Sequence, residues 1–368
     1  MRFLEYIVFH PWRAATILLL GIALGLGAFY VYQVSAALAT VAVEDFNPEG
    51  ARTAIEGGDT DPGASSDSDL SGEPSYDLHA ELALIAAQLG EGGDRGDFNT
   101  AAFGEPIPDD VFEAYLLVGT DASGLLADAI ILGLQPPDGS APIMVSLPRD
   151  LFVWNLCEQT FTRLNSGLGG CSRVATGSEL LAIMVEDYTG IPIDHLARVD
   201  FGGFARIVDV MGGVTVCVDH PTRDAKAHLQ IDSAGCGLVF GETALAWVRS
   251  RHPEQLIDGD WRAVTGSDFT RQDHQQDILF QLAGKAAEFS TPSALAERLA
   301  AVSSSVRLDS SWSFNQLIGA AWQHRGITKD GVARFQISVS EYRTSYGAQV
   351  LLPSTPFRSQ LSEVYDLG

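Results

Sequence analysis

The chain has 368 residues, enough for one large domain with appendages, and a formal net charge of −24. That charge excludes a nucleic-acid binder, which needs a basic surface to displace the counterions of a polyanion. Any other anionic ligand would need a metal ion or a local cluster of arginines.

Residues 1–13 are read as a short cytoplasmic segment and 14–36 as a membrane anchor. Ala14 to Val34 carries no charge and is long enough to cross a bilayer as a helix. Arg2 and Arg13 precede it and Glu44 and Asp45 follow it, so the positive-inside bias predicts a cytoplasmic N-terminus and an extracytoplasmic remainder. The alternative is a cleaved signal peptide, because Ala37-Leu38-Ala39 has a small-x-small pattern. The apolar core exceeds the ~7–15 residues of a signal h-region, which favours an uncleaved anchor. Residues 37–110 are predicted to be an acidic linker rich in Gly, Ser and Asp, with one short helix over 79–89 (HAELALIAAQL). The folded domain is expected over 111–368.

Within it, Tyr115–Val118, Ala129–Leu134 and Pro142–Leu147 are short apolar runs bounded by Gly, Pro, Asp or Ser, which predicts strand, turn, strand, turn, strand. They are apolar throughout, so both faces of this sheet are expected to be covered. Short connections make neighbours antiparallel. Asp121, just past the end of the first strand, Asp128, just before the start of the second, and Arg149, just past the end of the third, should therefore share one sheet edge. Two carboxylates and an arginine there suit a divalent metal and a phosphate; the alternative is two turn residues and a solvated strand end.

Cys157, Cys171, Cys217 and Cys236 form two sequence-near pairs without the C-x-x-C spacing of a zinc site. In an exported chain they predict the disulfides Cys157–Cys171 and Cys217–Cys236; four buried thiols are the alternative. Thr176–Tyr188 is predicted helical, opened by a Thr176/Glu179 capping box and stopped by Gly190. Asp194–Val199 is a strand candidate. Asp200 caps a second helix whose stripe of Phe201, Phe204, Ile207, Val208 and Met211 is expected to pack in the core. After a strand through Val214, Val216 and Val218, Gly241–Val248 is predicted helical. It leads into Arg249-Ser250-Arg251, whose arginines would share a face if the stretch is extended. Thr270–Glu288 is predicted helical, with Arg271, Gln275, Ile278 and Leu282 on one face. Arg271 falls in its first turn, where backbone N–H groups favour an anion and a cation does nothing for the helix. Leu295–Val302, Phe314–Trp322 and a strand at Arg334–Val339 close the chain.

The order GTD, AD, SLPRD, RLN, GIPIDH, VDFGGF, VDVMGGV, GETALAWVRSR and FTRQDHQQ resembles the LytR-CpsA-Psr family, over about Glu113 to Lys285 and more weakly to the C-terminus. The resemblance implies an α/β/α sandwich around a mixed central sheet. It implies transfer of a glycan polymer from a polyprenyl-(pyro)phosphate carrier to a peptidoglycan acceptor, usually as a phosphodiester. By motif position, Asp121 and Asp128 match two acidic residues near Mg²⁺ (or Mn²⁺), and Arg149, Arg249, Arg251 and Arg271 match phosphate-contacting arginines. Asp268 is in reach of the same cluster. Arg163 and Asn165 fall at a substrate-binding K-I-N segment, and Gln275 in the late R-Q-Q motif. The cysteine pairs resemble those of exported actinobacterial members. Two departures stand out. Ala122, Ser123, Leu126 and Ala127 occupy the stretch where the family usually places arginines, and His274 replaces the arginine of R-Q-Q. The metal half of the site is kept and the phosphate half is thinned. A polyprenyl tail would need an apolar tunnel, for which the helices at Leu180–Val185 and Phe201–Met211 are candidates. Rival expectations are a polyprenyl-pyrophosphate phosphohydrolase using the same residues, and a non-catalytic binder of lipid-linked glycan.

Overall fold

The computed structural model describes residues 42–57, 107–121, 123–264, 268–288, 306–311, 327–344 and 347–367. The expected anchor at 14–36, the helix at 79–89 and the segments Leu295–Val302 and Phe314–Trp322 lie outside the described residues. Among the described residues no helix is long and apolar enough to cross a membrane.

In chain order the elements are β1 (Ala42–Glu44), α1 (Pro48–Glu56), β2 (Glu113–Thr120), β3 (Ala127–Gln135), β4 (Ile143–Leu147), β5 (Phe152–Asn155) and β6 (Thr160–Arg163). A 3-10 turn at Leu164–Gly169 leads to α2 (Gly177–Thr189), β7 (His195–Asp200), α3 (Phe201–Val210), β8 (Val214–Val218), β9 (Thr222–Asp224), β10 (Leu229–Ile231) and β11 (Gly235–Val239). Then come α4 (Gly241–Arg249), β12 (Glu254–Ile257), β13 (Asp260–Ala263), α5 (Asp268–Ala287), β14 (Val306–Asp309), β15 (Ala333–Gln336), β16 (Val339–Arg343), β17 (Gln349–Pro353) and α6 (Phe357–Leu361).

The central sheet is mixed, in the order β1-β14-β7-β2-β3-β4-β15. The meander β2-β3-β4 is antiparallel throughout, with Leu116 opposite Leu132 and Leu132 opposite Val145. One face carries the main core, where Leu116, Leu132 and Val145 meet Leu180, Leu181 and Tyr188 of α2 and Phe357 of α6. The local signals of α2 hold. Thr176 and Glu179 form the reciprocal capping box, and Gly190 ends the helix in the left-handed region at φ 71°. On the other face α3, α4 and α5 form a smaller cluster around Val208, Val214, Ala244, Val248 and Ile278. The result is a three-layer α/β/α arrangement.

Three expectations are corrected. First, β2 is not evenly covered: Ala114, Leu116 and Val118 are fully buried while Tyr115, Leu117 and Gly119 are half-buried. Its second face borders a cavity rather than solid core. Second, residues 42–57 of the stretch expected to be linker are folded. β1 pairs with β14, Ala42 opposite Arg307, and α1 packs on α2 through buried Ala51 and Ile55. Bulk composition hid a short helix with its own signals, an Asn47 cap accepting from the Gly50 N–H and a proline in the first turn. Arg52 then pairs with Glu186 at 3.2 Å and Asp187 at 2.7 Å. Third, Arg249 is the last residue of α4, so Arg249-Ser250-Arg251 is not one extended run.

Both cysteine pairs are bonded, Cys157 to Cys171 and Cys217 to Cys236. The second joins directly opposed residues of β8 and β11.

Candidate active site

Asp121, Asp128 and Arg149 do share one edge, the end toward which β2, β4 and β7 run. A register break brings Asp128 forward. Gly119 pairs with Ala129 and Thr120 with Ala127, which leaves Asp128 as the extra residue of a bulge. Bulges disrupt the ladder locally and re-aim a side chain. The sequence permits it because position 119 is glycine: a Cβ there would lie 3.2 Å from the Ala129 Cβ.

Two arginines from distant elements hold the bulge. Arg149 pairs with the Asp128 carboxylate. Arg271, buried in the first turn of α5, donates to the Asp128 carbonyl at 2.9 Å. The cation that did nothing for its helix has a role across the sheet. Asp121 is tied into its own loop. Its carboxylate accepts from Ser123 Oγ at 2.7 and 2.8 Å, and its N–H donates to the Leu126 carbonyl at 3.1 Å. The Ser123 hydroxyl first, then loop N–H groups, draw the Asp121 pKa below its ordinary value, so it is a carboxylate at neutral pH.

Behind this edge a cavity of about 240 Å³ separates the sheet from α3 and α4. Leu117 and Ile131 form its floor, and Phe201, Phe204, Ile207 and Leu245 its roof. The expected core stripe of α3 therefore divides: Phe201, Phe204 and Ile207 line the cavity, while Val208 is buried in the smaller core cluster. Leu180–Val185, the other candidate tunnel wall, lies in the opposite layer and is fully buried in the main core. Polar groups gather at the Asp128 end, where Asp200, Arg249, Arg271 and Gln275 join the lining. The Arg249 guanidinium lies 4.5 Å from the centre of the Phe201 ring. An apolar chamber that ends in arginines suits an amphiphile with an anionic head.

The remaining expected residues divide. Gln275 lines the cavity and donates to the Val248 carbonyl at 3.3 Å, joining α5 to α4. Asp268 opens α5; its side chain lies outside the described residues. Arg251 does not line the cavity; its N–H donates to Asp224 at 3.0 Å. Arg163 reaches the Gln349 carbonyl at 2.7 Å and Asp150 at 3.5 Å, and the Asn165 N–H donates to the Arg149 carbonyl at 3.0 Å. Both brace the Pro148–Asp150 turn. His274 stacks on Trp247 with ring centres 3.8 Å apart, and burial pushes its pKa down. It adds no positive charge where the family pattern has arginine.

Asp224 escaped sequence reasoning. It accepts five hydrogen bonds: from the Lys226 and Ala227 N–H groups, Ser250 Oγ, and the N–H groups of Arg251 and His252. It therefore fixes the chain just past Arg249. No short-range pattern ties Asp224 to Ser250. Arg198 was missed too, although an arginine inside the apolar run LARV was a usable signal.

A profile of the LytR_cpsA_psr family matches residues 110–363. The chain belongs to the LytR-CpsA-Psr family. Among LytR-CpsA-Psr relatives it is 34% identical over 154 residues to a probable cell wall biosynthesis protein, LcpB, of Corynebacterium glutamicum, covering 37% of this chain and 36% of LcpB. It is 27% identical over 240 residues to the polyisoprenyl-teichoic acid–peptidoglycan teichoic acid transferase TagU of Halalkalibacterium halodurans, covering 63% of this chain and 72% of TagU. It thus spans about a third of the LcpB length. Among solved structures it is similar to a LytR-Csp2A-Psr enzyme from Actinomyces oris, at 26% identity and TM-score 0.57, covering 72% of this chain and 98% of that one. The LytR-CpsA-Psr architecture is that of the mixed sheet and its two helical layers described above.

Proposed function

We propose that this protein transfers a glycan polymer from a polyprenyl-(pyro)phosphate carrier to peptidoglycan by phosphoryl transfer, in cell-wall assembly outside the membrane. The observation that carries the reading is the apolar cavity ending at Asp128, Arg249 and Arg271. Its apolar part suits an isoprenoid, and its charged end suits the phosphates. TagU, the relative with the longest match among those above, is named for the same class of transfer.

Phosphoryl transfer asks for in-line positioning and neutralised phosphate oxygens, with little other chemistry from the protein. Arg149, Arg249 and Arg271 supply planar, permanently charged donors for those oxygens. Asp121 and Asp128 offer hard oxygen ligands at one edge. Mg²⁺ (or Mn²⁺) fits this set, because it takes one or two carboxylates and completes its shell with phosphates and water. When bound, the ion would offset negative charge on the reacting phosphate. The acceptor hydroxyl attacks the phosphorus that bears the glycan, a carboxylate, Asp268 or one of the edge pair, takes its proton, and the bond from that phosphorus to the carrier oxygen breaks, so that the polyprenyl carrier leaves with its remaining phosphate. Arg163, Asn165 and Gln275 hold the turn and the helix contact that frame the substrate.

The test is to incubate the purified full chain with lipid-linked glycan, with and without peptidoglycan fragments, in added Mg²⁺ and in EDTA. Glycan joined to the fragments only with the metal is expected. Phosphate release that persists without any transfer would mean a phosphohydrolase. Binding with neither product would mean a carrier of lipid-linked glycan.

A further inference from the structure

The end of the sheet that holds the site is also the end at which the chain enters the fold. β7 runs parallel to β2, β14 antiparallel to β7, and β1 parallel to β14. β1 therefore starts where β2 and β7 finish. Seven residues, 35–41, separate the uncharged stretch Ala14–Val34 from Ala42. Fully extended they reach about 25 Å. If that stretch spans a bilayer, as its length and flanking charges predict, the site edge is tethered close to the membrane.

The same edge displays apolar side chains. Leu125 is 63% exposed and Leu126 46%, both in the β2–β3 loop. The loop is firmly built. The Gly124 N–H donates to the Asp121 carbonyl at 3.1 Å, and the Leu125 N–H to Ser123 Oγ at 3.3 Å. Arg198 ties it to the tether strand: one guanidinium reaches the Gly124 carbonyl at 3.2 Å, Ser178 Oγ at 2.9 Å and Glu44 at 3.5 Å. Leucines held outward on a braced loop, bonded through one arginine to the strand that follows the predicted anchor, have a definite neighbour. With a net charge of −24 the chain has no general electrostatic attraction to an anionic leaflet, so apolar contact must supply the adhesion.

We infer that Leu125 and Leu126 insert into the outer face of the lipid bilayer and hold the cavity mouth against it. The membrane contact rests on the tether and the exposed loop. Its use, passing a lipid tail from leaflet to cavity without crossing water, rests on the transfer reading above.

The four native cysteines are all in disulfides, so an introduced thiol can be labelled selectively. The full chain with Leu125→Cys, carrying an environment-sensitive fluorophore, is placed in vesicles of phosphatidylcholine and phosphatidylglycerol containing acyl-brominated lipid. Val364→Cys is the control; Val364 is 37% exposed and adjoins Tyr365, which packs on Phe112 before the far end of β2. Severalfold stronger quenching at 125 than at 364, persisting at high salt, is expected. Equal quenching at both positions, or a response at 125 that needs a second protein, overturns the inference. Leu125→Gln should lower turnover of a bilayer-embedded lipid-linked substrate about tenfold, the scale of losing the apolar burial of one leucine side chain. Turnover of a soluble short-chain analogue should not change. Quenching needs no turnover, so it separates failure of the membrane contact from failure of the transfer reading.

Discussion

The guanidinium of Arg271 donates at 2.9 Å to the carbonyl of Asp128, joining the first turn of α5 to the bulge in β3. The same aspartate pairs through its carboxylate with Arg149. One bulged residue is thus fixed at its backbone by one arginine and at its side chain by another. The cations and the acid are mutually positioned before any phosphate arrives, and preorganised charge of this kind needs no rearrangement during reaction.

Arg271→Ala should therefore damage both stability and function. It removes a buried charged donor from a carbonyl, worth about 2 kcal/mol, and opens space beside the cavity. Transfer should fall at least ~100-fold. Arg271→Lys keeps the charge without the planar fork and should recover stability better than rate. Urea midpoints alongside transfer rates would check both; a fully active Lys variant would show that geometry is unimportant there.

The Arg149–Asp128 pair is partly shielded, with side chains 28% and 19% exposed. Its coupling should lie near the top of the exposed-pair range, about 1 kcal/mol, in a double-mutant cycle of Arg149→Ala and Asp128→Asn. Each single change should cost about 100-fold or more in transfer, and the double little beyond the worse single. Additive rate losses would indicate that the two act independently.

Much of this edge was legible in the sequence because it follows from parity. Short turns force β2, β3 and β4 to alternate direction, so residues after one strand and before the next must meet. The bulge was not legible, since whether Asp128 pairs or protrudes depends on registry between two strands. The grip of Asp224 on Ser250, Arg251 and His252 was hidden for a related reason: it joins β9 to a turn after α4 that is close only in the folded state. β1 was lost because Ala42 finds its partner at Arg307, and a three-residue strand has no pattern of its own. That Phe201 and Ile207 of the α3 stripe face a cavity while Val208 fills the core was not legible, because an apolar face looks the same whether it meets side chains or a cavity.

Asp224 and Asp309 should shape acid stability. Burial alone would raise both carboxyls, yet hydrogen bonds outweigh it and hold both below the ordinary value of 3.8. For Asp309 the donors are His195, the Ser311 hydroxyl, and the Leu196 and Ser311 N–H groups. A carboxyl lowered by folding stabilises the native state above its unfolded pKa, and that contribution is lost as pH falls through the folded value. Urea stability should drop below about pH 4, and less steeply in Asp224→Asn. Asp224→Ala should cost about 3 kcal/mol, since five donors lose their acceptor. It should also weaken substrate binding through Arg249, raising KM more than it lowers kcat.

The N-terminal segment supplies the last test. Arg52 lies between Glu186 and Asp187, whose pKa values burial pushes up. Their sign is opposite to that of Asp309. A carboxyl raised by folding favours the native state below its unfolded pKa, and that advantage is lost as pH rises through the folded value. At neutral pH Arg52 offsets this cost. Arg52→Ala leaves two neighbouring part-buried carboxylates without their cation. It should destabilise the domain by about 2 kcal/mol at pH 7 and clearly less near pH 4, where protonation removes the repulsion. Arg52→Lys should recover part of the loss. Hydrogen exchange should show α1 loosening first, because Arg52, Ala51 and Ile55 attach it to α2. A pH-independent loss would mean that Arg52 acts through packing of its stem rather than through charge.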